Sequence, residues 1–225
     1  MIVVLSYLVL DDNKKVQEIK IIDPVIKFPT PSEVIDEKKS LESYKLAEDL
    51  IKSKTYLDDL KASLQYRQSL IYKFNNNPAI GKLIYIYASV LPNSKHKEKD
   101  ATYLFKLIEI SKTKLLSDKD VAMGTALFYS EFGKNEAALK VLENYLRVSK
   151  PTVNFLNIYM NILVRDGEYG KAKKAYDKLS KIEEKSIDTY LALSNYLYTK
   201  SNSDSIIEQK PTDISAIVHI WHLIL

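Results

Sequence analysis

The sequence predicts a mainly α-helical fold, in which antiparallel helix pairs stack on one another after a short N-terminal β-hairpin. Three observations support this prediction. Glycine and proline, which helix interiors tolerate least, number only 5 and 7 among 225 residues. Apolar residues recur at helical spacing through most of the chain after residue 31. A glycine-containing turn pattern repeats at a spacing of 34 residues in the second half of the chain.

The first 30 residues predict a β-hairpin and a linker. Residues 2–10 are apolar and rich in β-branched side chains, residues 11–15 suit a turn, and residues 16–22 partly alternate. The apolar start has no basic leader and is followed at once by two aspartates, so we expect a buried strand and not a signal peptide. Pro24, Pro29 and Pro31 favour an extended linker, because the residue before a proline avoids the α region. Residues 31–225 are then expected to form the helical part.

Capping residues indicate where the first helices begin. Thr30, followed by proline and by Glu33, predicts one helix start. Thr55 with Asp58 predicts a second. The run of asparagines before Pro78 predicts a break and a third start, and Asp100 and Asp118 are expected to cap the next two helices.

The clearest repeats lie in residues 118–200. Gly133 and Gly167 each end one apolar helical segment just before another begins, which predicts helix–turn–helix units. Ala138 and Ala172 occupy equivalent positions after these turns, where two helices must approach closely. A further helix is expected over residues 187–200. Such units bury their apolar faces only by stacking on neighbours, so we expect an α-solenoid.

These residues, with Tyr129, Tyr169 and Tyr176, resemble the tetratricopeptide-repeat family. The resemblance covers a little over a third of the chain and implies a solenoid that holds a peptide or protein on its concave face. Within such proteins, residues 133–146 and 169–172 look similar to subunit 2 of the ER membrane protein complex. Residues 137–140 and 172–174 look similar to the epsilon subunit of coatomer. The resemblance implies neither an enzyme nor a cofactor.

The residues that catalytic and metal sites need are scarce. The chain has no cysteine, which excludes disulfides, thiolate catalysis and cysteine-ligated zinc. None of its glycines forms a phosphate-binding pattern. His219 and His222 lie three residues apart, but the sequence supplies no convincing further ligand. We therefore expect no enzyme activity, no cofactor and no metal.

A basic stretch is the first candidate binding surface. No acidic residue occurs in residues 60–97, although the whole chain has a net charge of only +4. Its cationic side chains beside aromatic ones suit RNA, whose backbone attracts cations and whose unstacked bases pack on aromatic rings. The alternative is a solvated lysine-rich surface with its tyrosines in the core. The candidate residues are Lys61, Arg67, Lys73, Lys82, Lys95, Lys97, Tyr66 and Tyr72.

The apolar end of the chain is the second candidate. Trp221, Ile224 and Leu225 belong to a predicted last helix with more apolar residues than one face needs. Solenoid ends usually carry a polar cap, so this helix is expected either to pack back on the preceding helix or to contact a partner.

Two functions follow as hypotheses. The first is a non-catalytic scaffold or adapter in a large cytoplasmic assembly, binding a protein partner through the solenoid without inserting into a membrane. The second is a ribosome- or RNA-associated factor, for example a translation-silencing or hibernation factor, that docks through residues 61–97.

Overall fold

The structure, a computed structural model, describes residues 26–53, 55–75 and 77–182 and is mainly helical. The predicted β-hairpin, the helix expected over 187–200 and the apolar last helix lie outside these residues. The described residues contain no strand. Their α-helices are α1 (Glu37–Ile51), α2 (Tyr56–Tyr72), α3 (Ala79–Val90), α4 (Lys97–Ser111), α5 (Lys119–Glu131), α6 (Asn135–Val148), α7 (Val153–Arg165) and α8 (Tyr169–Ile182).

Side chains cap several helices where the sequence predicts it. The Thr55 hydroxyl accepts a hydrogen bond from the Asp58 amide at 3.1 Å and begins α2. The Asp118 carboxylate accepts from the amides of Asp120 and Val121 at 2.9 and 3.2 Å and begins α5. Each bond satisfies an amide that lacks a partner within its own helix.

The predicted start of the first helix is wrong. Thr30 caps no helix, and α1 begins at Glu37 after Asp36, whose side chain accepts from the Lys39 amide. Tertiary contacts explain the difference. The amides of Ser32 and Asp36 donate to the carbonyls of Ile71 and Tyr72 at the end of α2, at 2.8 and 3.1 Å. These bonds hold residues 32–36 against α2 and delay the helix.

Asp100 is also not a helix cap, because α4 already begins at Lys97. Asp100 lies in the first turn of that helix, where it is 1% exposed and its carboxylate accepts a hydrogen bond from the Ser94 hydroxyl. The same hydroxyl oxygen accepts from the His96 amide at 3.0 Å. The hydrogen bonds that Ser94 makes with Asp100 and His96 fix the start of α4. The helix therefore begins at Lys97, and Asp100 lies inside its first turn.

Two helical hairpins repeat at 34 residues. The bounds of α5 and α6 recur in α7 and α8 with this offset. Gly133 and Gly167 both have positive φ, at 70° and 76°, which glycine adopts without steric cost. The amides that follow them donate to Tyr129 and Leu163 carbonyls, both at 2.9 Å. Ala138 and Ala172 are both fully buried in one apolar cluster, so the predicted equivalence of the two turns is confirmed.

Two apolar clusters meet at α5. One cluster contains residues of α1, α2, α3 and α4 and of one side of α5. The other contains residues of the opposite side of α5 and of α6, α7 and α8. Gly124 lies where α5 packs closely against α3. A Cβ atom built at Gly124 would lie 2.7 Å from the Ile84 Cγ2 atom and 2.8 Å from the Tyr85 backbone nitrogen. This close crossing sets the spacing of the central helices.

A buried polar cluster joins α1 and α2 to the start of α3. The Asn77 amide nitrogen donates to the Lys73 carbonyl at 2.7 Å and to the Ser69 hydroxyl at 3.0 Å. The Asn77 side-chain oxygen accepts from the Ala79 amide at 2.9 Å, and the Ser40 hydroxyl donates to the Ser69 carbonyl at 2.9 Å. Asn77 is 4% exposed, and neighbouring side chains and backbone groups satisfy its buried polar atoms.

Candidate partner-binding groove

An open groove of about 310 Å³ runs across the central helices. Residues spaced three and four apart on α3 form much of its lining, because this spacing places them on one helix face. The first turns of α5 and α7 contribute on one side, and the end of α1 and the start of α2 on the other. The lining residues are Ile51, Asp59, Lys82, Tyr85, Ile86, Ser89, Val90, Lys119, Asp120, Met123 and Asn154.

Lys82 is the centre of a charge network that crosses the groove. Its amino group lies 3.1 Å from the Asp120 carboxylate and 4.0 Å from the Glu48 carboxylate. Partial burial acts to lower the pKa of Lys82, but Asp120 and Glu48 outweigh it and hold the pKa above its ordinary value. Lys82 is therefore a paired cation that ties α3 to α1 and α5.

Tyr66 belongs to the same network, which it joins through Glu48. Its side chain is fully buried, and its hydroxyl donates to Glu48. Burial raises the pKa of Tyr66, and the hydrogen bond to the Glu48 carboxylate raises it further. The Tyr44 ring lies 5.7 Å from the Tyr66 ring, and burial raises the pKa of Tyr44 as well. Both tyrosines remain neutral hydrogen-bonding and packing groups at physiological pH.

Two charged groups of the groove have no partner among the described residues. The Asp59 carboxylate on α2 is partly buried, and burial raises its pKa, with the neighbouring Asp58 carboxylate adding to the effect. Lys119 at the start of α5 is partly buried and forms no ion pair with the described residues. The groove therefore presents one unpaired acid and one unpaired base beside the neutralised pair of Lys82 and Asp120.

Neutral polar groups line the remaining part. The Asn154 side-chain amide on α7 donates to the Tyr85 hydroxyl on α3 at 2.9 Å. The Ser89 hydroxyl is exposed and donates to the Tyr85 carbonyl at 2.9 Å. Apolar atoms of Ile51, Ile86 and Val90 complete the lining. Mixed apolar and polar lining of this kind is typical of sites that orient a bound segment as well as bury it.

The structure pairs four of the basic-stretch cations with carboxylates. Lys61 lies 3.1 Å from Asp58, and Lys73 lies 2.8 Å from Glu37. Lys97 on α4 pairs with Glu131 on α5, and Lys82 is paired as described above. Glu37, Glu48, Asp120 and Glu131 come from helices outside the acid-free stretch, so the fold supplies negative charge that the local sequence lacks.

The other candidates of the stretch have different surroundings. Tyr66 is a core residue, and Tyr72 lies beneath Lys39, whose amino group is 5.7 Å from its ring centre. Arg67 lies close enough to the buried Tyr87 hydroxyl to lower a pKa that burial itself raises. Lys95 is exposed in the segment before α4. The candidates at the chain end, Trp221, Ile224 and Leu225, lie outside the described residues.

Sequence reasoning did not find the groove. Asp59, Lys119 and Asn154 belong to three helices, and no short motif connects them. The one available signal was the 34-residue offset, which places Asn154 at the position equivalent to Asp120. Among the described residues, no cluster of histidine, aspartate or glutamate is suited to a metal ion.

Comparison of the chain with protein-family models, curated proteins and solved structures finds no match. The resemblance to tetratricopeptide repeats therefore stays a prediction. Within the part of the chain that the structure describes, no helix is both long and apolar enough to cross a bilayer.

Proposed function

We propose that this protein is a non-catalytic scaffold or adapter subunit of a large cytoplasmic assembly, and that it holds an extended segment of a partner protein in the groove. The observation that carries this proposal is the composition of the groove, which receives side chains from α1, α2, α3, α5 and α7. An open groove that is lined by several helices suits a linear segment, because successive residues of the segment meet successive helices.

The 34-residue duplication supports the same proposal. The second hairpin repeats the bounds and turn of the first, and Asn154 extends the groove onto it. If residues 187–200 continue this pattern, the chain forms an α-solenoid with a longer binding face. Neither a cofactor nor a catalytic step is part of the proposal.

A pair of matched substitutions tests the proposal. Ser89 lines the groove, is exposed, and its hydroxyl bonds to the carbonyl four residues earlier at 2.9 Å. Thr102 on α4 is also exposed and makes the same bond at 2.9 Å, but it does not line the groove. We expect Ser89→Trp to fill the groove and remove a specific set of co-purified proteins from native extract. Thr102→Trp is expected to retain that set.

Quantitative mass spectrometry of the two purifications gives the result. Equal recovery with both variants would show that partners bind elsewhere and would refute the groove as the binding site. Circular dichroism of each variant confirms that the helices are intact.

The RNA-associated alternative has less support, because the cations of Lys61, Lys73, Lys82 and Lys97 already have carboxylate partners. It predicts that co-sedimentation with ribosomes weakens steeply as salt rises, since phosphate contacts release counterions. It also predicts that simultaneous reversal of Lys61, Arg67 and Lys73 to glutamate abolishes co-sedimentation. Binding of a segment in the groove should survive both treatments.

A further inference from the structure

We infer that the groove selects a partner segment carrying one basic and one acidic side chain, and that Asp59 receives the basic one. This inference rests on the proposed function and specifies its ligand. It starts from the contrast between two adjacent aspartates in the first turn of α2. The Asp58 carboxylate accepts hydrogen bonds from Ser53 and Thr55 at 2.6 and 2.7 Å and pairs with Lys61. The Asp59 carboxylate lines the groove and has none of these partners among the described residues.

An unpaired carboxylate that is partly removed from water gains more from a cation than an exposed carboxylate does. Partial burial removes part of its hydration, and a charge-assisted hydrogen bond restores the lost interaction. The N-terminal turn of α2 also favours negative charge at this position. Lys82 does not serve as its partner, because the Lys82 amino group is held by Asp120 and Glu48.

The surroundings of Asp59 suit the stem of a lysine or arginine. Ile51 is partly exposed and, with the small exposed parts of Ile86 and Val90, offers apolar surface for methylene groups, which long cationic side chains bury while their charged heads stay polar. The ring of Tyr85 lies in the same groove and attracts a cation to its face. A basic side chain therefore meets an apolar wall, an aromatic ring and a carboxylate in one place.

Lys119 is the reason why we expect the partner segment to carry an acidic side chain as well. The groove-lining charges are Asp59, Asp120, Lys82 and Lys119, two negative and two positive, so the groove as a whole is neutral. A polycation gains little from such a groove. A segment that carries an acidic side chain for Lys119 as well as a basic one for Asp59 satisfies both unpaired groups.

The experiment uses a phage-displayed library of random linear peptides, selected on the full chain and on Ser89→Trp. We expect peptides enriched only on the wild-type protein to share one lysine or arginine and one aspartate or glutamate at a constant separation. For such a peptide, Asp59→Asn should lower affinity by about ten- to a hundred-fold, as expected for a lost hydrogen bond between charged groups. Asp58→Asn, the matched control in the same turn, should keep the wild-type affinity.

Two further measurements test the same charge pair, and the first of them uses only the unaltered protein. Replacing the basic residue of the selected peptide by norleucine keeps the stem and removes the charge, and should lower affinity for the unaltered protein by a similar factor. Selection on Asp59→Lys should instead enrich peptides with an acidic residue at the same position.

The outcomes separate the inference from the proposed function. If no peptide is enriched, or if Ser89→Trp enriches the same peptides, both the groove function and the inference fail. If the peptides require an open groove but carry no shared basic residue and bind Asp59→Asn equally well, the inference alone is overturned.

Discussion

Replacing Gly124 by alanine tests the central packing of the molecule. Alanine normally stabilises a helix by about 0.5–1 kcal/mol relative to glycine. At Gly124 the new methyl group would lie 2.7 Å from the Ile84 side chain and 2.8–2.9 Å from the α3 backbone. A backbone cannot rotate away as a side chain can, so α3 and α5 must separate. Overpacking of this kind costs about 1–3 kcal/mol.

Gly170→Ala is the matched control, because Gly170 also lies in a helix and a Cβ atom there would meet nothing within 4 Å. We expect Gly170→Ala to stabilise the protein by about 0.5 kcal/mol, since it lies in the first turn of α8. Gly124→Ala should destabilise it by up to about 2.5 kcal/mol once the propensity gain is subtracted. The difference between the variants isolates the packing cost.

Urea denaturation followed by circular dichroism measures both free energies of unfolding. In a chain of this size, each kcal/mol also shifts the melting temperature by about 2–4 °C. Because the faces of α3 and α5 line the groove, a folded Gly124→Ala protein should also bind groove peptides less well. If Gly124→Ala is as stable as Gly170→Ala, the close crossing of α3 and α5 is wrong.

Four further predictions each concern one residue. Ala138→Arg should prevent folding, because a large cation cannot fit at a fully buried site between helices, and an unchanged melting temperature would show that the repeat register is wrong. Gly133→Ala should lower the free energy of unfolding by about 1–2 kcal/mol, because position 133 has a positive φ. Gly133→Asn should lower it less, since asparagine adopts this conformation more readily. Equal losses would contradict this cause. Asn77→Ala should lower the free energy of unfolding, measured by urea denaturation, by about 1–3 kcal/mol, since it leaves the buried Ser69 hydroxyl and Lys73 carbonyl without their donor. An unchanged free energy of unfolding would mean that water replaces the Asn77 side chain. Hydrogen bonds from Ser53, Thr55 and Lys61 lower the pKa of Asp58 from 3.8 to about 2. The Asp58 carboxylate should therefore contribute fully to the free energy of unfolding above pH 3.8, and this contribution should disappear as the pH falls through 2. An NMR titration of Asp58 with an ordinary midpoint would refute this.

The predictions that succeeded depend on residues close together in the chain. Thr55 and Asp118 cap helices because a short side chain reaches amides two or three residues away. Gly133 and Gly167 end helices because their positive φ is a property of a single residue. Such features need no knowledge of the rest of the fold, and the local sequence was sufficient to find them.

The two cap predictions that failed were overridden by competing hydrogen bonds. Thr30 has the composition of a helix cap, but carbonyls at the end of α2 accept from the amides of Ser32 and Asp36 and hold this segment outside the helix. Asp100 also resembles a cap, but the hydroxyl of Ser94, six residues earlier, holds its side chain inside the first turn of α4. The first competing bond depends on the tertiary arrangement, whereas the second is local and was not recognised in the sequence.

The candidate site shows the same division. The absence of acids in residues 60–97 is a property of the sequence, and it suggested an unbalanced positive surface. The fold brings Glu37, Asp120 and Glu131 within ion-pair distance of three of those lysines. Among the described residues Asp59 has no ion-pair partner in the groove, although it directly follows a fully paired aspartate.

The sequence by itself determined the helical class, the 34-residue period and the turns at Gly133 and Gly167, because these depend on backbone preference and on periodic apolar residues. Only the tertiary structure decided which charges are neutralised and which remain available in the groove. Charge pairing depends on distance in space, and residues far apart in the chain become neighbours only when the helices have packed.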